Sequence, residues 1–425
     1  MMQKKLWILG AHSAVTTVLA TLSQSVVAGG FYISELGTPG SLGTAGAANV
    51  TNNFTADAAF TNPAAMTGIK NDHALAGMQV IVPKAEFDSS VADAGGGDGG
   101  NAGVLAVVPS HFLVKSLSDD VRLGFSVVGT MGGGLDYGKN FVGRYATYRA
   151  VLGAVALSPS IGYRVNDQLS VGAGVSAVYT TYDQDIAVRK PGGDGRISIN
   201  QIDDWGFTSF YGLTYQLNDQ AMIGVVYRPE FDAELEGDVN FSNFTVLSPS
   251  ADSIDVDWTN PQVLQVGLQY KVDDQYTLFV DADWEDWSEF SDNRLAFSGG
   301  LANPVVHLDR NFKDTYHLGL GMVRTWEDQR FTVGVGYDSS PVDDDDRTID
   351  LPLDEQLKVS MAYARKGKTL DYSIGATLIY MGEGKVDQIA QGVRFKGEFD
   401  KNYALFLGGT LPVSYTHLTL PTITE

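Results

Sequence analysis

Residues 121–127 read Val-Arg-Leu-Gly-Phe-Ser-Val, so large apolar side chains alternate with polar or small ones. Successive side chains of a β-strand point to opposite faces, and this alternation therefore predicts a strand with one apolar face. The same period of two recurs along the chain at 171–179, 264–270, 316–322 and 370–380. No helical stripe of comparable length competes with it, and the sequence therefore predicts an all-β fold.

Short polar turns such as Asn166-Asp167-Gln168 and Asp273-Asp274-Gln275 separate neighbouring alternating runs and indicate tight hairpins. Six such turns alternate with seven long polar segments, and these connections join 14 strands. The predicted strands are 73–83, 102–115, 121–131, 153–165, 169–182, 204–217, 221–233, 260–272, 276–285, 313–325, 330–339, 356–365, 370–381 and 402–411. An even, antiparallel set with long loops on one side predicts a 14-stranded transmembrane β-barrel of the outer-membrane type.

Composition agrees with this prediction. With 44% apolar and 19% charged residues in a chain of 425, fibrous and intrinsically disordered proteins are excluded. No run of about 18 apolar residues follows residue 28, which excludes membrane-spanning helices. The alternative is a secreted β-sandwich or solenoid, which would not need the strict alternation of long and short connections.

The charge and the missing cysteines exclude several functions. A net charge of -22 disfavours a nucleic-acid partner, because the chain repels phosphate. The absence of cysteine excludes disulfides, thiol catalysis and cysteine-ligated metals, and we expect no cofactor and no metal site. The acidic run 343–346 in one long loop could bind divalent cations shared with lipopolysaccharide, or could be a solvated loop.

The chain begins with a predicted secretory signal peptide at 1–28. Lys4 and Lys5 precede an apolar stretch at 6–22, and Val26-Val27-Ala28 offers small side chains for cleavage. The alternative is an N-terminal membrane anchor. A mature chain starting near Gly29 would pass into an oxidising compartment without cysteines.

The segment 29–70 precedes the first strand and lacks the alternation. It is rich in small residues and contains Asn62-Pro63-Ala64, which marks a fixed bend. A barrel of 14 strands is wider than one that side chains alone can fill, so a selective barrel needs a plug. We therefore predict an N-terminal hatch at 29–70 inside a barrel at 71–411.

Several motifs resemble the FadL / TodX family of outer-membrane channels for long-chain fatty acids and hydrophobic compounds. The resemblance covers about 29–411. It depends on the order and spacing of the motifs together and not on any single one of them. The matching stretches are Gly30-Phe31-Tyr32, 43–49, Asn62-Pro63-Ala64, 284–290, 312–316, 336–342 and Leu351-Pro352.

The resemblance implies a passive channel in the bacterial outer membrane. Extracellular loops would capture a hydrophobic molecule, which would bind in the barrel beside the hatch and leave sideways through a kink in the third strand. Long-chain fatty acids are the first expectation for the cargo, with aromatic hydrocarbons or alkanes as alternatives. We expect a monomer surrounded by outer-membrane lipid and lipopolysaccharide.

The kink is expected at Gly129, Gly132, Gly133 and Gly134, because glycines weaken a strand and permit a bend. These glycines could equally begin an extracellular loop. Departures from the family pattern are the short segment 183–203, which suggests a reduced external groove, and the ending 412–425, which lacks a terminal aromatic strand and is suspected to be non-native.

The predicted lumen lining mixes apolar and polar side chains, which suits an amphiphile or hydrocarbon. Its ligand-contacting candidates are Phe210, Met222, Phe279, His317 and Phe406. A carboxylate head group would bind a cation, and the candidates are Arg144, Arg149 and Arg324, followed by Arg164 and Arg228. Each could instead form a salt bridge at the rim.

Catalytic motifs are weak. The glycine run 95–100 lies in a loop, and Gly367-Lys368-Thr369 lacks the leading glycine of a phosphate loop. Few histidines are available for a hydrolase. The chain is therefore expected not to be an enzyme, with a barrel hydrolase and a general porin as the less favoured alternatives.

Overall fold

The computed structural model describes residues 33–244, 251–290, 292–299, 305–366 and 372–412. The predicted signal peptide, the Gly30-Phe31-Tyr32 motif and residues 413–425 of the suspected tail lie outside these ranges. The strands are β1 (His73–Ala92), β2 (Ala106–Ser116), β3 (Val121–Asp136), β4 (Arg149–Arg164), β5 (Leu169–Val188), β6 (Gly195–Gln216), β7 (Ala221–Arg228), β8 (Phe231–Ser242), β9 (Ser253–Asn260), β10 (Val263–Lys271), β11 (Tyr276–Glu285), β12 (Asp292–Ser298), β13 (Val305–Asp309), β14 (Thr315–Trp326), β15 (Gln329–Asp338), β16 (Gln356–Arg365), β17 (Tyr372–Tyr380), β18 (Val386–Ala390) and β19 (Val393–Pro412).

Helical structure in the described residues is short. It consists of the α-helices Pro39–Gly43 and Ala58–Thr61 and the 3-10 turns Ala65–Gly68 and Trp287–Phe290. None of these described helices has the length and apolar character needed to cross a membrane.

Fourteen strands form one closed ring in which every neighbouring pair is antiparallel. The ring order is β1, β2, β3, β4, β5, β6, β7, β10, β11, β14, β15, β16, β17 and β19. The first and last strands close it, with Leu75 opposite Pro412 and Ala92 opposite Phe395. Closure removes the free sheet edges, and the predicted 14-stranded barrel is confirmed.

The outer face of the ring carries exposed apolar side chains. In β15, Phe331, Val333 and Val335 are each 47% exposed, whereas Thr332 between them is buried. Leu318 and Leu320 of β14 face outward in the same way. This face matches the hydrocarbon of a bilayer, which explains the alternation in the sequence.

Five strands lie outside the ring, in segments that the sequence analysis treats as loops, and that prediction is wrong there. β8 pairs with the first half of β6 and with β9, and β12 joins β9 to β13. β18 pairs with β19. The predicted strand 221–233 is two strands, because Pro229 lies between them and has no N–H to donate. The segment 183–203 continues β5 and β6 around a turn, instead of forming a short loop.

Residues 33–69 occupy the lumen. Thr44 packs against Gly334 of β15, Val50 against Gly224 of β7, and Pro63 against Gly162 of β4. These contacts come from strands on different sides of the closed ring, so the segment lies within it. Nearly all of its side chains are buried.

Candidate functional site

Asn62 connects the end of the N-terminal segment to the wall. Its Nδ2 donates to the carbonyl oxygens of Val50 at 2.7 Å and Leu213 of β6 at 3.3 Å. Its Oδ1 accepts from the N–H of Ala64 at 3.0 Å. The side chain is fully buried, so the predicted motif Asn62-Pro63-Ala64 forms a compact turn against the barrel.

Wall glycines make room for this turn. A Cβ built on Gly172 would lie 2.5 Å from the backbone nitrogen of Ala64 and 2.6 Å from the carbonyl carbon of Pro63. A Cβ on Gly212 would overlap the amide of Asn62. Because no side chain fits there, these glycines are needed for the close approach of two backbones.

Three wall arginines donate to backbone carbonyls of the same segment. Arg122 Nε lies 2.7 Å from the oxygen of Ile69, Arg164 Nη2 donates to Thr67, and Arg228 Nη2 lies 2.5 Å from the oxygen of Phe60. Arg228 is also stacked over the rings of Phe60 and Phe210, at 4.4 and 4.8 Å from their centres. Two of the wider set of head-group candidates, Arg164 and Arg228, are thus engaged with the segment itself.

The wall opens between β2 and β3. These strands pair from Ser116 opposite Arg122 up to His111 opposite Val127. Above that point β2 remains paired only with β1, and β3 only with β4. A bridge between Gly103 and Leu135 closes the gap at its upper end. Residues 104–110 and 128–134 therefore border a window in this described part of the wall.

The predicted kink glycines lie at this window. Gly129, Gly132, Gly133 and Gly134 belong to β3 and pair with β4, so the alternative that they begin a loop is wrong. Thr130 forms a β-bulge between the pairs Gly129–Val155 and Met131–Ala154. A bulge bends the strand that contains it, and this one lies just beyond the last pair of β2 with β3.

A cavity of about 270 Å³ passes through the window. Ile33, Ile81 and Val108 line it from the lumen side, and Val151, Gly153 and Val155 line it from the outward face of β4. Its further lining residues are Val107, Gly129, Met131, Gly132, Ala154, Tyr179, Thr181, Asp183, Gln201 and Asp203. The N–H of Ile33 donates to the carbonyl of Thr130 at 2.9 Å, which ties the N-terminal segment to the bulge.

The five predicted ligand-contacting residues are buried and face inward, but they do not form one site. Phe210 packs on Phe60, Met222 lies 3.9 Å from the Asn53 amide, and Phe279 packs on Phe54. Phe406 belongs to an apolar cluster with Ile33 and Ile81. His317 lies in an ionic cluster elsewhere in the lumen. Their role in ligand contact stays a prediction.

The head-group candidates differ in position. Arg324 is exposed and stacks over Tyr276 and Trp326 at the outer face, so its predicted lumenal location is wrong. Arg149 lies 3.5 Å from Asp183, which borders the window cavity.

Arg144 lies in the extracellular region. Its Nε is 2.9 Å from Asp194 Oδ2, and Tyr145 donates to the other oxygen of the same carboxylate at 2.7 Å. Burial opposes ionisation of Asp194, but the hydrogen bonds from Arg144 and Tyr145 outweigh it and lower the pKa of this carboxyl group. Arg144 therefore fits the alternative of a rim salt bridge.

An ionic cluster missed by the sequence analysis holds the start of the segment. Lys358 Nζ lies 2.9 Å from both Glu35 and Asp338, and Asp338 lies 2.7 Å from His317 Nδ1. Asp281 approaches His317 Nε2 at 3.6 Å. The position of Lys358 between the outward-facing Leu357 and Val359 was an available signal for a lumenal lysine.

The acidic run 343–346 is mostly engaged with protein donors. Asp343 pairs with Lys313 at 2.5 Å, and Asp344 pairs with Arg347 at 2.6 Å. Asp346 accepts from the Asn311 amide at 2.8 Å. A lipopolysaccharide contact through this run stays a prediction.

Known proteins share this architecture. A family model described as "Outer membrane protein transport protein (OMPP1/FadL/TodX)" matches residues 19–408. The long-chain fatty acid transport protein of Escherichia coli O6:H1 is 24% identical over 429 aligned residues, which cover 91% of this chain and 93% of that protein. Outer membrane protein P1 of Haemophilus influenzae is 23% identical, with 85% and 91% covered.

Solved structures agree in fold. A crystal structure of a Pseudomonas aeruginosa FadL homologue superimposes with a TM-score of 0.80 at 20% identity, covering 90% of this chain and 99% of that one. The Pseudomonas putida toluene transporter TodX gives 0.69 at 17% identity, covering 89% and 99%.

Proposed function

Because the chain belongs to the OMPP1/FadL/TodX family of outer-membrane transport proteins, we propose that it is a passive channel for uptake of hydrophobic compounds, not an enzyme. The family and the closed barrel assign it to the bacterial outer membrane. Long-chain fatty acids are the cargo proposed first, because the Escherichia coli relatives are named long-chain fatty acid transport proteins. Monoaromatic hydrocarbons, named for TodX and for the CymD channel, are the alternative.

The observation that carries the proposal is the cavity in the window. Its walls include side chains from the lumen face and from the outward face of the barrel, so it connects the two sides of the sheet. An apolar molecule that moves through it stays in contact with apolar side chains such as Ile33, Ile81 and Val155. We therefore propose that the cargo leaves the barrel laterally, through the window bordered by Gly129, Gly132, Gly133 and Gly134.

Residues 29–70 act as the hatch in this proposal. The described part fills the lumen, with Asn62-Pro63-Ala64 fixed against the wall glycines. Passage straight along the barrel axis is therefore unfavourable, and cargo taken from extracellular loops would reach the window past Ile33. We expect the protein to act as a monomer in lipid and lipopolysaccharide.

The proposal is tested with a reducible disulfide engineered across the window. A Cβ on Gly129 would lie 3.8 Å from the Cβ of Val108 on the opposite border, which matches the usual separation in a disulfide. The natural chain has no cysteine, so the double variant Val108→Cys, Gly129→Cys contains one pair only. Uptake of radiolabelled oleate and toluene is measured in cells that lack their own hydrophobic channel.

We expect the oxidised double variant to lose uptake and the reduced form to regain it, while each single variant transports in both conditions. Full uptake by the oxidised, correctly folded double variant would contradict lateral release. Absence of uptake of either cargo by the unmodified protein would contradict the channel assignment.

A further inference from the structure

The window cavity is apolar along its length but acidic at one end. Ile33, Ile81 and Val155 contribute hydrocarbon, whereas Asp183 and Asp203 contribute carboxylates. Among the described residues that line it, none is lysine or arginine. The apolar part of the cavity can hold the hydrocarbon chain of a cargo molecule, and its head group would then lie near the two carboxylates.

Only part of this negative charge is compensated. Arg149 Nη2 lies 3.5 Å from Asp183 Oδ2, and the N–H of Gln201 donates to Asp183 Oδ1 at 2.6 Å. Asp203 accepts a hydrogen bond from the Tyr179 hydroxyl but has no cation beside it on β8, where its directly opposite neighbour is Glu236, itself an acid. The arginine therefore offsets one of the two carboxylates at most.

The acidic row continues away from the cavity. Glu236 of β8 is directly opposite Asp255 of β9, and the next pair on the same face is Glu234 opposite Asp257. Like charges directly opposite each other in a sheet repel, and only Asp257 has an arginine, Arg294, nearby at 3.5 Å, so this face of the β6, β8 and β9 extension carries a net negative charge. No compensation for Asp203 comes from that side.

We infer that the window selects cargo by head-group charge, passing uncharged head groups, including a fatty acid in its protonated form, faster than carboxylates. This inference rests on the proposed function. A carboxylate that enters the cavity approaches Asp183 and Asp203 in a partly apolar space, where charge repulsion is less screened than in water. An alcohol of the same chain length, a hydrocarbon or a protonated fatty acid carries no such penalty.

The test compares oleate with oleyl alcohol, which share a chain of the same length and differ in head-group charge. Initial rates of radiolabelled uptake are measured in cells lacking their own hydrophobic channel, at pH 7.5 and equal surface expression. The test variant is Asp183→Asn, Asp203→Asn, since the amide oxygen introduced at the first position would still accept from the N–H of Gln201. The matched control is Glu234→Gln, Asp257→Asn, which removes the same charge outside the cavity and includes an aspartate with an arginine, Arg294, also at 3.5 Å. Folding is checked by the heat-dependent shift of the barrel in gels.

The unmodified protein should transport the alcohol faster than oleate. The cavity variant should raise oleate uptake by about three- to tenfold and leave the alcohol unchanged, with no rise in the control. An unchanged ratio in the cavity variant, or an equal rise in the control, overturns the charge filter while the channel stands. Uptake of neither cargo by the unmodified protein overturns both this inference and the proposed function.

Discussion

The two ends of the N-terminal segment are held to the same barrel by different chemistry. Residues 57–69, the capped end, are fixed by neutral hydrogen bonds of Asn62 and by arginines that donate to backbone carbonyls. Residues 33–36, the ionic end, are held by the ion pair of Glu35 with Lys358, by hydrogen bonds from Gln79 to the Glu35 carbonyl and from Lys358 to Ser34, and by the N–H of Ile33, which donates to Thr130. Both ends thus have a backbone carbonyl bonded to a wall side chain, and the ionic end adds an ion pair, which can exchange partners. We therefore expect the ionic end to be released more easily than the capped end.

The strongest test of the capped end is Gly172→Val. The added side chain overlaps Ala64 and Pro63, so the segment cannot dock and the lumen should open to small solutes. Liposome swelling with small sugars should rise from near background to a rate like that of a general porin. Gly97→Val is the control, because a Cβ there meets nothing within 4 Å. A closed barrel in the Gly172 variant would show that this end is not a rigid anchor.

The ionic end is tested by Lys358→Met. Glu35 would then lie buried without its cation, at a cost of about 3–5 kcal/mol, whereas the half-buried Asp338 would keep His317 as a partner. We expect residues 33–36 to detach and become accessible to limited proteolysis, while 57–69 stays protected. Combining the change with Glu35→Gln should restore part of the protection. Equal exposure of both ends would remove the distinction between them.

Asn62→Ala should weaken the capped end by about 1–3 kcal/mol, because it leaves the buried Val50 carbonyl and Ala64 N–H without a partner. Denaturant unfolding monitored by tryptophan fluorescence measures the loss. Asn53→Ala is the matched control, since its amide makes only a long contact with Met222. Equal losses in the two variants would argue against a special role for the motif.

The smallest expected effect is that of Ile33→Ala at the ionic end. Its buried side chain lines the window cavity, and shortening it loosens the packing of the ionic end without touching the hydrogen bonds between the wall strands. Hydrocarbon uptake should rise roughly twofold while the folded barrel keeps its stability. A fall in uptake would mean that Ile33 guides the cargo instead of restricting it.

The barrel could be predicted from the sequence because lipid imposes a period of two on every wall strand, as at Phe331, Val333 and Val335. The same parity puts Arg324 on the face of Leu318 and Leu320, so its wrong assignment to the lumen was avoidable. The strands beyond the membrane were missed because their outward positions, such as Glu234 and Glu236, are polar and read as loop.

The window and the ionic cluster were beyond sequence reasoning for another reason. The window depends on where the pairing of β2 with β3 stops at Val127, and single-strand patterns contain no pairing register. The cluster joins Glu35 to Lys358, which are far apart in the chain. The glycines at 129–134 lie beside the β-bulge at Thr130, and their role as the exit kink stays a prediction.

The ring is closed by its first and last strands, β1 and β19, around a segment that precedes both. Wall glycines such as Gly172 and Gly212 approach that segment so closely that a side chain on either would overlap it. We expect the N-terminal segment to dock on the sheet before β1 pairs with β19, because this close fit is easier to reach while the sheet is still open. In that order of events the segment would template closure of the barrel before it plugs the lumen.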